Sequence, residues 1–368
     1  MPSPQLTDPW ELGPLRVPNR VLLAPLAGIG NWFVRLQAKR YGAGMAVSEM
    51  VSSHAIHYRN ERTLRELLRI HPDERIVAWS ATCLPACSHP AAGPPGPPIA
   101  PTSIQLFGSD PDVMRSAAAD AVAAGADALD LNMGCPVPKV CKTGAGAALL
   151  ADPARAVAVA RAAVEGATEA RRDAGGPPPV TVKLRSGRRP GETSGFELAH
   201  RLVADAGVAA IAFHPRSAAV HHKGVPDYEL AGRLAESLPA PVILTGGMND
   251  ARGIRETFAR TGVAAVMLAR GCLGNPWLFE ELVGGRVAEP TPAEVTAELE
   301  WVIDRAALHL GPERAGRYLR KFYPWYLPRL GVDRTQLTSL QQSLQATPEI
   351  AEARRLLRTA TRPVALAA

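Results

Sequence analysis

The sequence has no apolar run approaching the roughly 18 to 20 residues of a membrane-spanning helix, which argues against a helical membrane protein. Its first residues, Met1-Pro2-Ser3-Pro4, lack the basic patch and apolar stretch of a secretory leader, so a cytoplasmic location is expected. Cysteine is scarce. Cys83, Cys87, Cys135, Cys141 and Cys272 are odd in number and widely scattered, so no disulfide framework is expected. Cys83 and Cys87 have no second pair at metal-ligand spacing. The histidines, including His54 with His57 and His221-His222, supply no third ligand, so no metal site is expected.

What is present is the composition of a globular protein, 46% hydrophobic and 21% charged over 368 residues, a length that suits one large domain and a smaller one. The formal charge of +6 is concentrated in one place. From Trp301 onward there are 11 Lys and Arg against 5 Asp and Glu, an excess that accounts for the whole net charge. A basic terminal segment on a neutral body suits a polyanionic partner, or is simply a solvated helix face.

Short apolar runs at 21–24, 45–48, 103–107, 128–132, 180–183, 210–214, 242–245 and 265–269 alternate with amphipathic helical segments. Parallel strands joined by crossover helices give this rhythm, and eight of them fit a closed (β/α)8 TIM barrel. One helix is framed at both ends: Asp110 is an N-cap, Pro111 follows it, and Gly125 closes the segment. The stretch 83–101 is rich in Pro, Gly and Ala with neither helical nor strand period, and reads as an exposed insertion. After Leu282 the strand pattern ends, and Thr291-Pro292-Ala293-Glu294 opens a series of helices that forms a C-terminal all-helical domain.

In such barrels the reactive groups gather at the C-terminal strand ends. Here those ends carry Ala24-Pro25-Leu26-Ala27-Gly28, Gln105-Leu106-Phe107-Gly108, Asn132-Met133-Gly134-Cys135-Pro136, Lys183 with Arg185, His214 with Arg216, Thr245-Gly246-Gly247 and Ala269-Arg270-Gly271. Gly246-Gly247 and Ala269-Arg270-Gly271, on the last two strands, let backbone N–H groups approach a phosphate, with Arg270 adding charge. Lys183 beside Gln105 suits the edge of a flavin ring where negative charge develops on reduction, or Lys183 is half of a structural ion pair. Farther on, Arg314, Arg317, Arg320 and Lys321 recur at three- and four-residue spacing, followed by Tyr323, Pro324, Trp325 and Tyr326.

These blocks, together with Ser48-Glu49-Met50-Val51, Val182-Lys183-Leu184-Arg185-Ser186-Gly187, His214-Pro215-Arg216 and Gly274-Asn275-Pro276-Trp277, stand in the order and spacing of bacterial FMN-dependent tRNA-dihydrouridine synthases. The chain resembles that family over residues 12 to 360, and the Asn-x-Gly-Cys-Pro block is the most specific part. The resemblance implies reduction of a tRNA uridine to 5,6-dihydrouridine by a protein that uses FMN and takes electrons from NADPH, and a monomer is expected. It implies FMN contacts at Pro25, Leu26, Ala27, Gln105, Lys183, His214, Gly246, Gly247, Ala269 and Arg270. Cys135 matches the acid that protonates C5, and Asn132 and Arg216 match positions that face the uridine. A thiol of ordinary pKa, about 8.5, is mostly protonated at neutral pH and able to donate. Arg317, Arg320 and Lys321 are expected to meet the tRNA. The implied division is a catalytic barrel over residues 1–285 and a tRNA-binding helical domain over 286–368.

The sequence departs from the family's habit at Thr245, at Ala269 and in Ser217-Ala218-Ala219-Val220-His221-His222. Two other classes compete. A flavin barrel that oxidises or reduces a free pyrimidine has no need of the basic helical tail, and a non-catalytic RNA-binding barrel has no need of Cys135, Lys183 and Gln105.

Overall fold

Eight runs of branched and small apolar residues form parallel strands: β1 (Val21–Leu23), β2 (Met45–Val47), β3 (Thr102–Phe107), β4 (Ala128–Met133), β5 (Val180–Arg185), β6 (Ala210–His214), β7 (Val242–Thr245) and β8 (Ala265–Leu268). Each lies within two residues of its sequence-based expectation. The structure, a computed structural model, describes residues 3–75, 100–171 and 176–360. The insertion expected at 83–101 lies outside the described residues up to residue 99, as does the Cys83 and Cys87 pair.

Each strand pairs in parallel with the next, and β8 returns to β1 with Leu268 opposite Leu23, so the sheet closes into the expected barrel. Closure removes the free edge that an open sheet would present. A core cluster draws Leu22, Met45, Ala128, Ala210, Ile243 and Ala265 from six different strands, which can meet only inside the barrel. Side chains alternate along a strand, so Ala128 shares that interior face with Asp130 and Asn132. The lower interior is therefore apolar, and toward the C-terminal ends β3, β4 and β5 turn polar groups inward.

A hairpin that the sequence reading did not foresee, Trp10–Leu12 paired with Leu15–Val17, contributes Trp10, Leu12 and Val17 to the same cluster. The Trp10 indole N–H donates to the Asn19 carbonyl at 3.0 Å, which satisfies its one polar atom where the ring is buried. Long helices follow most strands. Pro111–Ala123 starts where expected, with the Asp110 carboxylate accepting from the backbone N–H groups of Asp112 and Val113 at 3.0 and 3.1 Å.

One helix defies pattern reading. Trp32–Arg40 buries Arg35 and Lys39. Arg35 meets the buried Glu74 carboxylate through two N–H donors at 2.8 and 2.9 Å, and Lys39 donates to the Thr102 hydroxyl at 2.6 Å. Burial pushes the Lys39 ammonium down to about 8 against the pull of Glu74. Charges removed from water this completely persist only when paired.

The chain divides into two compact units, Met1–Gly271 with Leu278–Gly285, and Cys272–Trp277 with Arg286–Ala368. Within the second, Gly274 lies so close to Trp325 that an added Cβ would sit 2.3 Å from the tryptophan backbone. Its longest helix, Pro292–Leu310, buries Val295, Leu299, Val302, Ile303 and Ala306, one stripe at helical spacing. Thr291 begins it with a capping box: its hydroxyl accepts from the Glu294 N–H at 3.3 Å, and the Glu294 carboxylate accepts from the Thr291 N–H at 2.8 Å. Thr291→Ala removes one half of that exchange, and urea unfolding should show a loss of about 1 kcal/mol. An unchanged midpoint would mean that Glu294 alone caps the helix.

Candidate active site

The strand ends bring most of the expected residues to one mouth. On β4, Asn132 points inward and its side-chain oxygen accepts from the backbone N–H groups of Gly134 and Cys135 at 3.3 and 2.9 Å. This interaction folds the chain into a tight turn at the strand's end. The Cys135 carbonyl in turn accepts from the Ala147 N–H at 2.9 Å and the Cys141 thiol at 3.3 Å. Gly146, at φ +62°, makes that return possible, since a Cβ there would stand 2.7 Å from the Cys135 carbonyl. The turn is thus held from below and behind, with the Cys135 side chain partly exposed.

From the side the turn is held by Arg185, which sequence reading noted at a strand end without giving it a role. Its Nε donates to the Gly134 carbonyl at 3.0 Å, and its NH1 donates to the Ser217 and His221 carbonyls at 3.1 and 2.6 Å. One guanidinium therefore ties the cysteine turn to the loop after β6. Burial pushes Arg185 down to about 10, with Arg216 adding to that push.

Lys183 stands opposite Asn132 in the register of β4 and β5. Among the described residues it makes no hydrogen bond or ion-pair contact, and the carboxylate that bears on it is that of Asp130. Burial pushes its ammonium below the ordinary lysine range, Arg185 pushes the same way, and Asp130 opposes them. Gln105 accepts from the Asn132 amide at 3.0 Å and donates to Asp130 at 2.6 Å.

Beyond β6 the mouth becomes strongly cationic. Arg216 approaches the His214 Nε2 at 3.3 Å. A guanidinium only donates, so Nε2 accepts and the ring proton sits on Nδ1. Burial first, then Lys183, Arg185 and Arg216, hold His214 far below its ordinary range, and it stays neutral. His222 is pushed down to about 4 by burial and by Arg270, Arg185 and Arg216. Cations that depress one another in this way form a site that an anion would relieve.

Two glycines follow β7 beside this cluster. Gly246 and Gly247 have φ of +100° and +79°. A Cβ on Gly246 would come within 2.5 Å of the His214 ring, and one on Gly247 within 2.2 Å of the Tyr228 hydroxyl. Tyr228 secures this bend by donating to the Gly246 carbonyl at 3.0 Å. The buried Nε of Arg216 has no hydrogen-bond partner among the described residues.

Residues 22–361 match the family model described as dihydrouridine synthase (Dus). The chain belongs to the dihydrouridine synthase family. It is 32% identical to tRNA-dihydrouridine synthase B of Pseudomonas aeruginosa over 325 residues, covering 87% of each chain. It is 35% identical to a probable tRNA-dihydrouridine synthase of Mycobacterium tuberculosis over 340 residues, 89% of this chain and 78% of that one. Among solved structures, a 2-naphthoyl-CoA reductase complex superposes with a TM-score of 0.55 at 13% identity, covering 77% of this chain and 52% of that one. Histamine dehydrogenase from Rhizobium sp. 4-9 gives 0.52 at 13% identity, covering 76% and 48%. The chain spans about half the length of these two structures, and at that identity they speak for the barrel alone.

Against this synthase family, the expected site residues fall into two groups. Pro25, Leu26 and Ala27 leave β1 in a turn that Glu49 fastens, its carboxylate accepting from the Gly28 N–H at 2.8 Å. Leu26 is buried and Ala27 exposed. Ala269 and Arg270 follow β8, with Arg270 exposed. All of these, with Gln105, Asn132, Cys135, Lys183, His214, Arg216, Gly246 and Gly247, belong to the first unit. Arg317, Arg320 and Lys321 belong to the second. There, Arg317 and Lys321 are exposed, whereas Arg320 is half-buried and donates to the Ala346 carbonyl at 3.4 Å.

Sequence reading missed Asp130. A carboxylate inside the apolar run Ala128-Leu129-Asp130-Leu131 was a legible signal, since such a residue on a barrel's inner face is either paired or functional.

Proposed function

We propose that this chain reduces a uridine of tRNA to 5,6-dihydrouridine, with FMN in the barrel mouth and NADPH as the electron source. The observation that carries this reading is the set of cations that bear on His214 and His222, namely Lys183, Arg185, Arg216 and Arg270, with His214 against Gly246 and the Cys135 turn on the same mouth. Family membership and the names of the relatives supply the reaction.

Gly246, Gly247, Ala269 and Arg270 would hold the FMN phosphate, the first two through backbone N–H groups. Pro25, Leu26 and Ala27 would bound the ring, with Gln105, Lys183 and His214 at its polar edge. When bound there and reduced, FMN would supply the hydride equivalent that C6 of the uracil requires. Cys135 delivers the proton that C5 then requires, and the partners of its backbone keep the turn in place while it does so. Asn132 and Arg216 face the base. Arg317 and Lys321, with Arg320 beside them, take the phosphate backbone. A uracil stacked within folded RNA has no access to such a mouth, so the target base must leave its stack. The protein is proposed to work as a monomer in the cytoplasm.

The test is direct. Purified protein should be yellow and release FMN on denaturation. With NADPH it should install dihydrouridine at one position or a small set of positions in tRNA taken from cells lacking the gene. A colourless protein, or one that reduces free uracil and ignores tRNA, overturns the reading.

A further inference from the structure

Asp130 has no part in the chemistry so far, yet it sits beneath all of it. It is 1% exposed, on the inner face of β4, and lies in register with Gln105 on β3 and Thr181 on β5. Its carboxylate accepts from the Gln105 amide at 2.6 Å and from the Thr181 hydroxyl at 2.5 Å. A carboxylate only accepts, so it fixes which end of the Gln105 amide points down. The Gln105 oxygen must then point up, where it accepts from the Asn132 nitrogen at 3.0 Å. That in turn leaves the Asn132 oxygen for the Gly134 and Cys135 N–H groups. Amides are nearly symmetric in shape, and this chain's direction is fixed at both ends, by the carboxylate below and by the Gly134 and Cys135 N–H groups above.

One step up β5 from Thr181 stands Lys183. The groups that bear on it are Asp130 and Cys135 from β4, Arg185 on its own strand and the neutral His214 on β6. Of the acids, Asp130 exerts the larger upward pull, against burial and Arg185. Burial raises the Asp130 carboxyl, and Thr181, Gln105 and Lys183 oppose that rise.

We propose that Asp130 is a positioning residue: its carboxylate anchors the lower end of the Gln105–Asn132 amide chain that holds the Cys135 turn, and its charge favours the ammonium form of Lys183 at the barrel mouth. The role of that proton at a flavin edge rests on the function proposed above, but the coupling between Asp130 and Lys183 does not.

Asp130→Asn separates charge from shape. The asparagine oxygen still accepts from Gln105. Its amide nitrogen faces Thr181, whose hydroxyl can receive it while donating to the Leu129 carbonyl, already 3.3 Å away. Competitive acetylation of flavin-free protein across pH 6 to 11, read on the Lys183 peptide, should place the lysine's midpoint lower in the variant by about one pH unit or more. In flavin-loaded protein at a pH between the two lysine midpoints, the same variant should show a lower flavin midpoint potential with little change in KM for tRNA. Should Asp130→Asn fail to fold, Lys183→Met reads the coupling from the other side. A buried carboxyl with a raised pKa loses its stabilising effect as pH rises through that pKa, and without the lysine this loss should extend to higher pH in denaturation curves.

An unshifted Lys183 midpoint in a yellow protein overturns this proposal and leaves the flavin reading standing. So does a Lys183→Met variant whose stability follows pH as the wild type's does. A shifted midpoint in a protein that never binds flavin supports the proposal and overturns the flavin reading.

Discussion

Cys135→Ala should lower dihydrouridine formation by about 100- to 10,000-fold in single-turnover assays, the usual worth of a positioned general acid. Flavin content and flavin reduction by NADPH should stay at wild-type levels. The separation follows from how the turn is held. Asn132 binds the backbone N–H of Cys135, and Ala147 and Cys141 bind its backbone carbonyl, so alanine keeps these interactions and loses only the thiol. Cys141 provides the contrast. Its thiol donates to the Cys135 carbonyl at 3.3 Å, a contact shared with Ala147, so Cys141→Ala should cost far less. A Cys135→Ala loss below about tenfold would remove the thiol from the proton path, because general acids are seldom worth so little. A parallel loss of bound flavin would mean that the side chain shapes the mouth instead.

The barrel was legible because its signal is local. A buried parallel strand needs a continuous run of branched and small apolar residues, and β6 and β7 begin and end where those runs do. The amino-terminal hairpin was not legible. Its strands have three residues each, too short to show a period, and only its place under the barrel makes Trp10 and Val17 core residues. Non-local pairing hid the rest. Nothing local in the sequence marks Arg35 as buried, since its partner Glu74 lies dozens of residues away. The strand ends at the mouth were readable as reactive residues in sequence order. How Asn132, Gln105 and Asp130 connect was not, since it depends on the register between β3 and β4 and on which side-chain atoms face one another. The basic stripe shows the reverse error. Its spacing was extended past the end of the helix Pro312–Leu319, and there the chain turns Arg320 partly inward.

The tRNA interface should therefore depend on Arg317 and Lys321 more than on Arg320. Both are exposed, and the Lys321 ammonium lies 4.1 Å from the centre of the Tyr318 ring, which keeps its stem against the helix and its charge outward. Arg320 is half-buried, with one N–H committed to the Ala346 carbonyl and its own carbonyl accepting from Gln345 at 2.7 Å. Replacing Arg317 and Lys321 together by glutamine removes two charges with little change in packing. If both neutralise phosphates, the slope of log K for tRNA against log salt should become shallower by about 0.7 to 0.9 for each, and by no more when Arg320→Gln is added. Charge reversal to glutamate at the same two positions should weaken tRNA binding at low salt at least about tenfold, since it replaces attraction by repulsion along a polyanion. FMN content and the rate of flavin reduction should not change, because these side chains belong to the helical unit. A slope equal to the wild type's in the double glutamine variant would make the stripe a solvated helix face and move the RNA-binding surface elsewhere. A slope that flattens only when Arg320 is also replaced would show that its guanidinium leaves the Ala346 carbonyl when RNA binds.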